Sequence, residues 1–435
     1  MRLLSSITLF VLLVVCSLSF SGCFGSMNGS QTRSTKKSVS PDPGECKGNY
    51  KVTKPMVDGA LLECTRITGS LTIHRNVAVS ALIFPKLQSV GGRLLILTNE
   101  ELTSVSLPAL VSVGSDLRIE DNKVLKTLEL PVLSSVGKNF GMEGNNVLVK
   151  LELPSLTEIG GSFDLGASGH GYSRMPTISL PQLGKVGGTF HLYLPHAKEL
   201  TFPSLSVIGK TLSIDKNKSL TSFEFPKLTH VHSLTLRENK ALVSVNLPQL
   251  VSVVECVSVY RNGHLQAISL PRLSSIGHGL SIDKNPSLRT IDMPVLVTVG
   301  KDEKKIRGGP KYMNIVYVNF NNALTEVAFP SLSFVSGLKI HDNKRLSVVK
   351  LPALTTVGYG EAYGNSNIGK VMIGENAALT AIELPVLKRV VNEVSIGASP
   401  LLSTCALKVI RNKLLQGGYE GRFHIYGTND AAKCQ

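Results

Sequence analysis

The sequence predicts a mainly β protein whose body, about residues 66 to 400, is a right-handed parallel β-helix solenoid of about thirteen coils with a disulfide cap at each end. Three observations predict it. An apolar-Pro pair recurs with its proline at Pro85, Pro108, Pro131, Pro154, Pro181, Pro203, Pro226, Pro248, Pro271, Pro294, Pro330, Pro352 and Pro385; ten of the twelve intervals are 22 to 27 residues and the others are 36 and 33. Inside the intervals, short runs alternate apolar and polar with the period of a half-buried strand. An Asn then stands at a fixed phase, at Asn76, Asn99, Asn122, Asn145, Asn217, Asn239, Asn262, Asn285, Asn321, Asn343 and Asn376.

The unit from Asn99 to Asp121 shows how one coil is built. Val105/Leu107 and Leu117/Ile119 alternate against polar neighbours, giving two short strands with one face inward. Pro108 ends the first strand because it has no N–H for a ladder, and Gly114 turns the chain before the second. A stacked Asn can bond the backbone of its own turn and of the neighbouring one, satisfying groups that a tight coil would bury unpaired. Coils stacked at about 4.8 Å give one elongated domain on the order of 60 Å long.

Composition agrees with a large core in an exported chain. Hydrophobic residues make up 43%, charged residues 18% and aromatics 6%, with no Trp, so an aliphatic interior is expected. A net charge of +15 favours anionic partners such as lipid headgroups or acidic polysaccharide; nucleic acid is not expected for an exported protein. The alternative is that the lysines only keep the turns solvated.

The two ends say where the protein works. Arg2, an apolar run from Ile7 to Val15 and small residues before Cys23 make residues 1–22 a secretory signal peptide. The run is too short to span a bilayer, and no later segment reaches 18 uninterrupted apolar residues. Phe20-Ser21-Gly22-Cys23 resembles the lipobox of bacterial lipoproteins, which implies lipidation of Cys23 and a membrane anchor; an ordinary cut after Ser21 is the alternative. Residues 23–44, rich in Ser, Thr, Gly, Lys and Pro, read as a flexible tether. The far end has no hydrophobic tail for a GPI anchor. The expected location is the cell envelope, at the outer membrane or cell surface, or else secretion.

Cysteines mark the caps. Cys46 and Cys64 bracket the start of the repeats, in an N-terminal cap over 45–65, and Cys405 and Cys434 bracket a C-terminal cap over 401–435. In an oxidising compartment these read as two disulfides, placed where the last coils have no neighbour to cover their apolar interior. Cys256, left over beside an apolar column, reads as a small buried hydrophobe rather than a reactive thiol.

Leu117-Arg-Ile-Glu-Asp-Asn122, Leu125, Leu128-Glu-Leu-Pro131 and Leu133-Ser-Ser-Val136-Gly137 together resemble the receptor L domain, a leucine-rich-repeat relative of hormone-receptor ectodomains and of fungal and bacterial surface proteins. Glu45 to Ile73 resembles its N-terminal cap and Cys405 to Cys434 its C-terminal cap, so the likeness covers about residues 45 to 435. The resemblance implies a leucine-rich-repeat-like solenoid that binds ligands as different as hormones and wall components. No furin-like Cys-rich module is present, so a hormone-receptor role is not implied, and the bacterial lipoprotein members match best in layout.

For a binding module, the outward position of the second strand is the place to look. It reads Thr72, Arg118, Asp164, His191, Ser213, Thr235, Ser258, Ser281, Tyr317 and Lys339, so four consecutive coils present small hydroxyls between His191 and Tyr317. That is a groove floor for a glycan or an extended peptide, or else an ordinary solvated sheet face. Three insertions break the period: 166–175 with His170 and Tyr172, 301–313 with Lys304, Lys305, Arg307 and Lys311, and 359–370 with Tyr359, Glu361 and Tyr363. The second suits an anionic polysaccharide, glycolipid or surface protein. An enzyme is not expected. Acid catalysis needs carboxylates about 5 to 9.5 Å apart, whereas Asp215 and Asp283, three coils apart, are separated by about 14 Å. No metal-binding, cofactor, P-loop or nucleophile-elbow motif is present, so no metal or cofactor is expected. The expected function is a non-catalytic surface binding or adhesion protein; a structural envelope spacer is the alternative, and a polysaccharide-cleaving β-helix the remoter one.

Overall fold

A computed structural model describes residues 44–53, 59–75, 79–166, 175, 177–301, 315–359 and 367–429. Cys23 and the tether, Lys304, Lys305, Arg307 and Lys311 of the basic insertion, His170, Tyr172, Glu361, Tyr363, Asn76 and Cys434 lie outside the described residues. The architecture below belongs to the unit Pro43–Gln435.

The alternating runs form parallel ladders, each strand pairing with its counterpart one coil away. The main ladder is a sixteen-stranded sheet that starts at Tyr50–Val52, passes through Leu117–Glu120 and Cys256–Tyr260, and ends at Arg422–Tyr426. Its first and last strands belong to the caps, leaving fourteen turns between them. That is one more than the prolines mark, because the strand Leu71–His74 precedes Pro85.

Each coil has three sides rather than the two expected. Two-residue strands such as Ser112–Val113 build a second ladder of fifteen strands, from Glu45–Cys46 to Arg389–Val390. Strands such as Ser104–Ser106, just before each proline, build a third ladder that is broken into five pieces. At the corner after the two-residue strands the backbones touch: a Cβ on Gly137 would sit 2.2 Å from the carbonyl oxygen of Gly114 in the coil before. The glycine that ends this strand is thus required by close approach.

The Asn column closes the next corner. Asn99, Asn122, Asn145 and the seven from Asn217 to Asn376 are all buried. The backbone N–H and Nδ2 of Asn239 both donate to Oδ1 of Asn262, at 3.0 and 3.2 Å, and Nδ2 also reaches the Ile214 carbonyl of the coil before, at 2.7 Å. The residue before the Asn is left-handed along the stack, with φ between 52° and 57° at ten non-glycine positions including Asp121, Lys216, Glu238, Arg261, Lys284, Phe320 and Asp342.

The interior is mainly aliphatic, as composition suggested, with single buried rings at Phe84 and Phe329 and a cluster of rings in the middle. Phe140, Phe163 and Phe190 stack on consecutive strands with centroids 5.2 and 5.0 Å apart, and Phe202 and Phe225 stack beside them at 5.0 Å. Six per cent aromatics suffices for this cluster, which takes five of the fourteen Phe residues. The stack lies where the Asn column lapses, for Leu194 takes the place of an Asn and donates its N–H to Oδ1 of Asn217.

Cys46 and Cys64 are disulfide-bonded with Cα atoms 5.8 Å apart, and Cys405 is disulfide-bonded too. At the C-terminal end the helix Thr404–Gln416 buries Leu407 and Leu414 against the last coils. The Tyr419 hydroxyl then donates to the Asn392 and Arg422 carbonyls at 3.1 and 2.7 Å, fixing the turn into the final strand.

Candidate functional site

Side chains that alternate outward from the sixteen-stranded sheet form a ruled surface. In register order the central outward column is Lys51, Thr72, Leu95, Arg118, Gly141, Asp164, His191, Ser213, Thr235, Ser258, Ser281, Tyr317, Lys339, Met372, Ser395 and His424. The structure therefore brings together His191, the four hydroxyl residues, Tyr317 and Lys339. Leu95 and Gly141 stand in the same column on either side of Arg118, positions where an apolar or absent side chain hides the column from a polar pattern.

The hydroxyl segment is low. Ser213 is buried and Thr235, Ser258 and Ser281 are half-buried. Two residues further along each strand runs a second column, also in register: Asp215, Arg237, Tyr260, Asp283, Asn319 and His341, in which the long Arg237 and Tyr260 stand beside the short hydroxyl residues while Asp283 and Asn319 are buried. The result is a shallow trough that crosses four strands, about 14 Å from Ser213 to Ser281.

At one end His191 Nδ1 lies 3.1 Å from Asp164 and its Nε2 3.8 Å from Asp215, while the Ser213 hydroxyl donates to Asp215 at 2.6 Å. A nucleophilic serine would have to give its proton to the imidazole. Here the hydroxyl hydrogen-bonds a carboxylate instead, and Asp164, His191, Ser213 and Asp215 form a polar clasp at this end of the trough.

At the other end aromatic rings and cations meet a buried acid. Lys284 Nζ is 5.5 Å from the Tyr260 ring centroid, 5.7 Å from that of Phe320 and 4.0 Å from Asp283 Oδ2. Arg261 lies 4.9 Å over Tyr260, and Lys339 lies 5.6 Å over Tyr317. Asp283 is only 8% exposed, and its Oδ1 has no hydrogen-bond partner among the described residues. Burial pushes its carboxyl above the usual carboxylate range, against the pull of Lys284 and Arg261. Tyr260, Lys284 and Phe320 escaped the sequence reading because they occupy the second column and the left-handed corner. Counting two and three residues on from each hydroxyl would have found them.

Cys256, on the same strand as Ser258, is half-buried and unbonded to other cysteines. Burial, with Glu255 beside it, pushes the thiol up to about 11, so it is protonated and poorly nucleophilic at neutral pH. Burial alone would raise Glu255 as well, but the Ser233 hydroxyl at 3.0 Å and His232 at 3.1 Å hold it low.

Two groups elsewhere on the sheet have chemistry that sequence spacing did not reveal. Glu120 and Glu143 are register neighbours beside a recess of about 290 Å³ that opens over Gly141. Asp215 and Asp283 do lie three strands apart, but the distance argument against paired carboxylates does not extend to this second pair. Burial raises Glu120, and Arg118 at 3.2 Å opposes that. His341, Asp342 and Glu375 place one donor atom each within 4.8 Å of one another, a set able to hold a divalent metal.

No helix among the described residues is long and apolar enough to cross a membrane. Neither a family model nor a curated protein matches the sequence. Among solved structures, the crystal structure of a TLR13–ssRNA13 complex aligns at 12% identity over 82% of this chain and 80% of its own, with a TM-score of 0.11, a score too low to carry any argument. The fold stands on its own geometry: a parallel β-solenoid of repeated coils, with little helix and a disulfide at its N-terminal end.

Proposed function

We propose that this protein is a non-catalytic binding solenoid of the cell surface, of receptor L-domain type, which lays an extended polar glycan along the trough over Ser213, Thr235, Ser258 and Ser281. The observation that carries the reading is the register of these four residues on consecutive strands. Their hydroxyls repeat about every 4.8 Å and alternate easily between donor and acceptor, which suits the closely spaced hydroxyls of a sugar chain. The flanking Arg237, Arg261, Lys284 and Lys339 favour a glycan that also carries acidic groups, in keeping with the net charge of +15. Lipidation of Cys23 would hold the solenoid at the membrane, with residues 23–44 as its tether.

A glycan-array screen of the full chain tests the reading, followed by Ser258→Leu, whose uncharged side chain would stand up from the middle of the floor. Binding should fall at least about tenfold, the loss of one good contact plus exclusion from the trough, with the melting temperature unchanged. An affinity that survives the substitution rejects the trough as the contact surface. Mass spectrometry of the mature N-terminus decides the anchor, and an unmodified start upstream of or at Cys23 rejects it.

A further inference from the structure

The far end of the trough is already occupied by a part of the protein itself. We propose that Tyr260, Asp283 and Phe320 form a recognition cage for an alkylammonium group, filled in the free protein by the side chain of Lys284. The inference deepens the reading above, and rests on it in naming the ligand class as a zwitterionic glycan, whose free amine meets the cage while its acidic groups meet Arg237 and Lys339.

Three observations converge on the cage. The Lys284 ammonium lies 5.5 and 5.7 Å from two ring centroids, within the reach at which an aromatic face attracts a cation. Its distance to Asp283 is 4.0 Å, well beyond the 2.7 to 2.9 Å or so of a charge-assisted hydrogen bond. The carboxyl it faces is nine-tenths buried, and one oxygen has no partner among the described residues. Lys284 thus sits where a cation is wanted but does not complete the contact. Its own backbone is held in the left-handed region at φ 57°, which fixes where the stem begins. A ligand ammonium is free of that tether and can close on the carboxyl.

The cage also adjoins the floor. Asp283 is two residues from Ser281 on one strand, a separation of about 7 Å. A sugar ring lying over Ser258 and Ser281 would reach the cage with an amine substituent projected sideways, along the strand direction. Arg261, 4.9 Å over the Tyr260 ring, marks the border of the cage and disfavours a second cation there.

The test uses the full chain, tetramethylammonium as a minimal probe, and glucosamine tetramers that are either fully deacetylated or fully acetylated. Lys284→Gly empties the cage with a residue suited to the left-handed backbone. It should tighten tetramethylammonium binding by about tenfold, the gain expected if Lys284 fills the cage about nine-tenths of the time. It should also favour the deacetylated tetramer over the acetylated one. Adding Asp283→Asn should abolish both gains while leaving the melting temperature at or above that of Lys284→Gly. Unchanged tetramethylammonium affinity in Lys284→Gly, equal gains for both tetramers, or gains that survive Asp283→Asn would each overturn the cage. Tetramethylammonium does not need the floor, so a gain for it without binding of either tetramer counts against the trough and leaves the cage standing.

Discussion

Oδ1 of Asn285 accepts both the backbone N–H of Asn262, at 3.0 Å, and its Nδ2, at 3.1 Å, so one side-chain oxygen ties two coils together. Nδ2 of Asn262 reaches the other way as well, to the Leu236 carbonyl at 3.1 Å. Replacing Asn262 with Ala removes these bonds and leaves several buried groups unpaired, at about 1 to 3 kcal/mol for each. The expected loss is about 3 kcal/mol or more in urea denaturation. The exposed Asn246→Ala, outside the column, should stay within about 0.5 kcal/mol of the parent.

Left-handed corners offer the opposite sign. Lys216 holds φ at 57°, a conformation that costs a side-chain-bearing residue about 1 kcal/mol. Lys216→Gly should raise stability by about that amount, read as an increase in melting temperature. Gly144 occupies the same corner at φ 66°, and a Cβ there would lie 2.3 Å from Asp121 Oδ1, so Gly144→Ala should lower it. An unchanged melting temperature in both variants would remove backbone strain from the account of this corner.

Asp283 gives a pH signature. Its carboxyl is raised in the folded chain, chiefly by burial, so the charged form is disfavoured by folding and costs stability wherever it is ionised in both states. That cost is fully present above the folded pKa, shrinks as pH falls through it, and is gone below the unfolded value. Asp283→Asn imitates the protonated group. The variant should melt higher than the parent at pH 7, and the difference should vanish at acid pH. A difference that persists below the ordinary carboxylate range would assign the effect to packing instead.

The Cys46–Cys64 bond closes a loop with a sequence separation of 18, which corresponds to about 3 kcal/mol of chain entropy. In a stack where each coil touches only its neighbours, that loss should be local. Reduction should deprotect amides of the first coils to hydrogen exchange, around Leu71–His74, and leave those around Cys256–Tyr260 protected. Uniform deprotection would show that the solenoid unfolds as one unit.

The repeat was legible because Pro108 and its equivalents, and the Asn column, each do one job that few residues can do. Hydroxyl neighbours such as Thr235 and Ser258 could be aligned from their phase alone, and the register agrees. The third side of each coil was not legible. Ser112–Val113 offers a single inward residue, and an alternation cannot be seen in one position. The cage was hidden for another reason. Tyr260, Asp283, Lys284 and Phe320 share no residue type, and an insertion separates Lys284 from Phe320 in sequence, so only stacking shows that they meet. The phenylalanine core escaped because composition averages over the chain, while the rings occupy a few consecutive coils.

That core also determines how the molecule would bear a load. Between Asn145 and Asn217 no described coil carries the amide clamp, and Phe140, Phe163, Phe190, Phe202 and Phe225 hold the interior there. Ring stacking resists compression but tolerates sliding, since dispersion is weakly directional, whereas a side-chain amide ladder breaks only when its geometry is lost. Drawn out along its axis, the solenoid would part at this seam first, into an N-terminal block clamped by Asn99, Asn122 and Asn145 and a longer block clamped from Asn217 to Asn376. A solenoid built this way has a fuse: axial strain is released in the middle of the stack, at the coils of Asp164 and His191, and the coils from Ser213 to Ser281 stay folded.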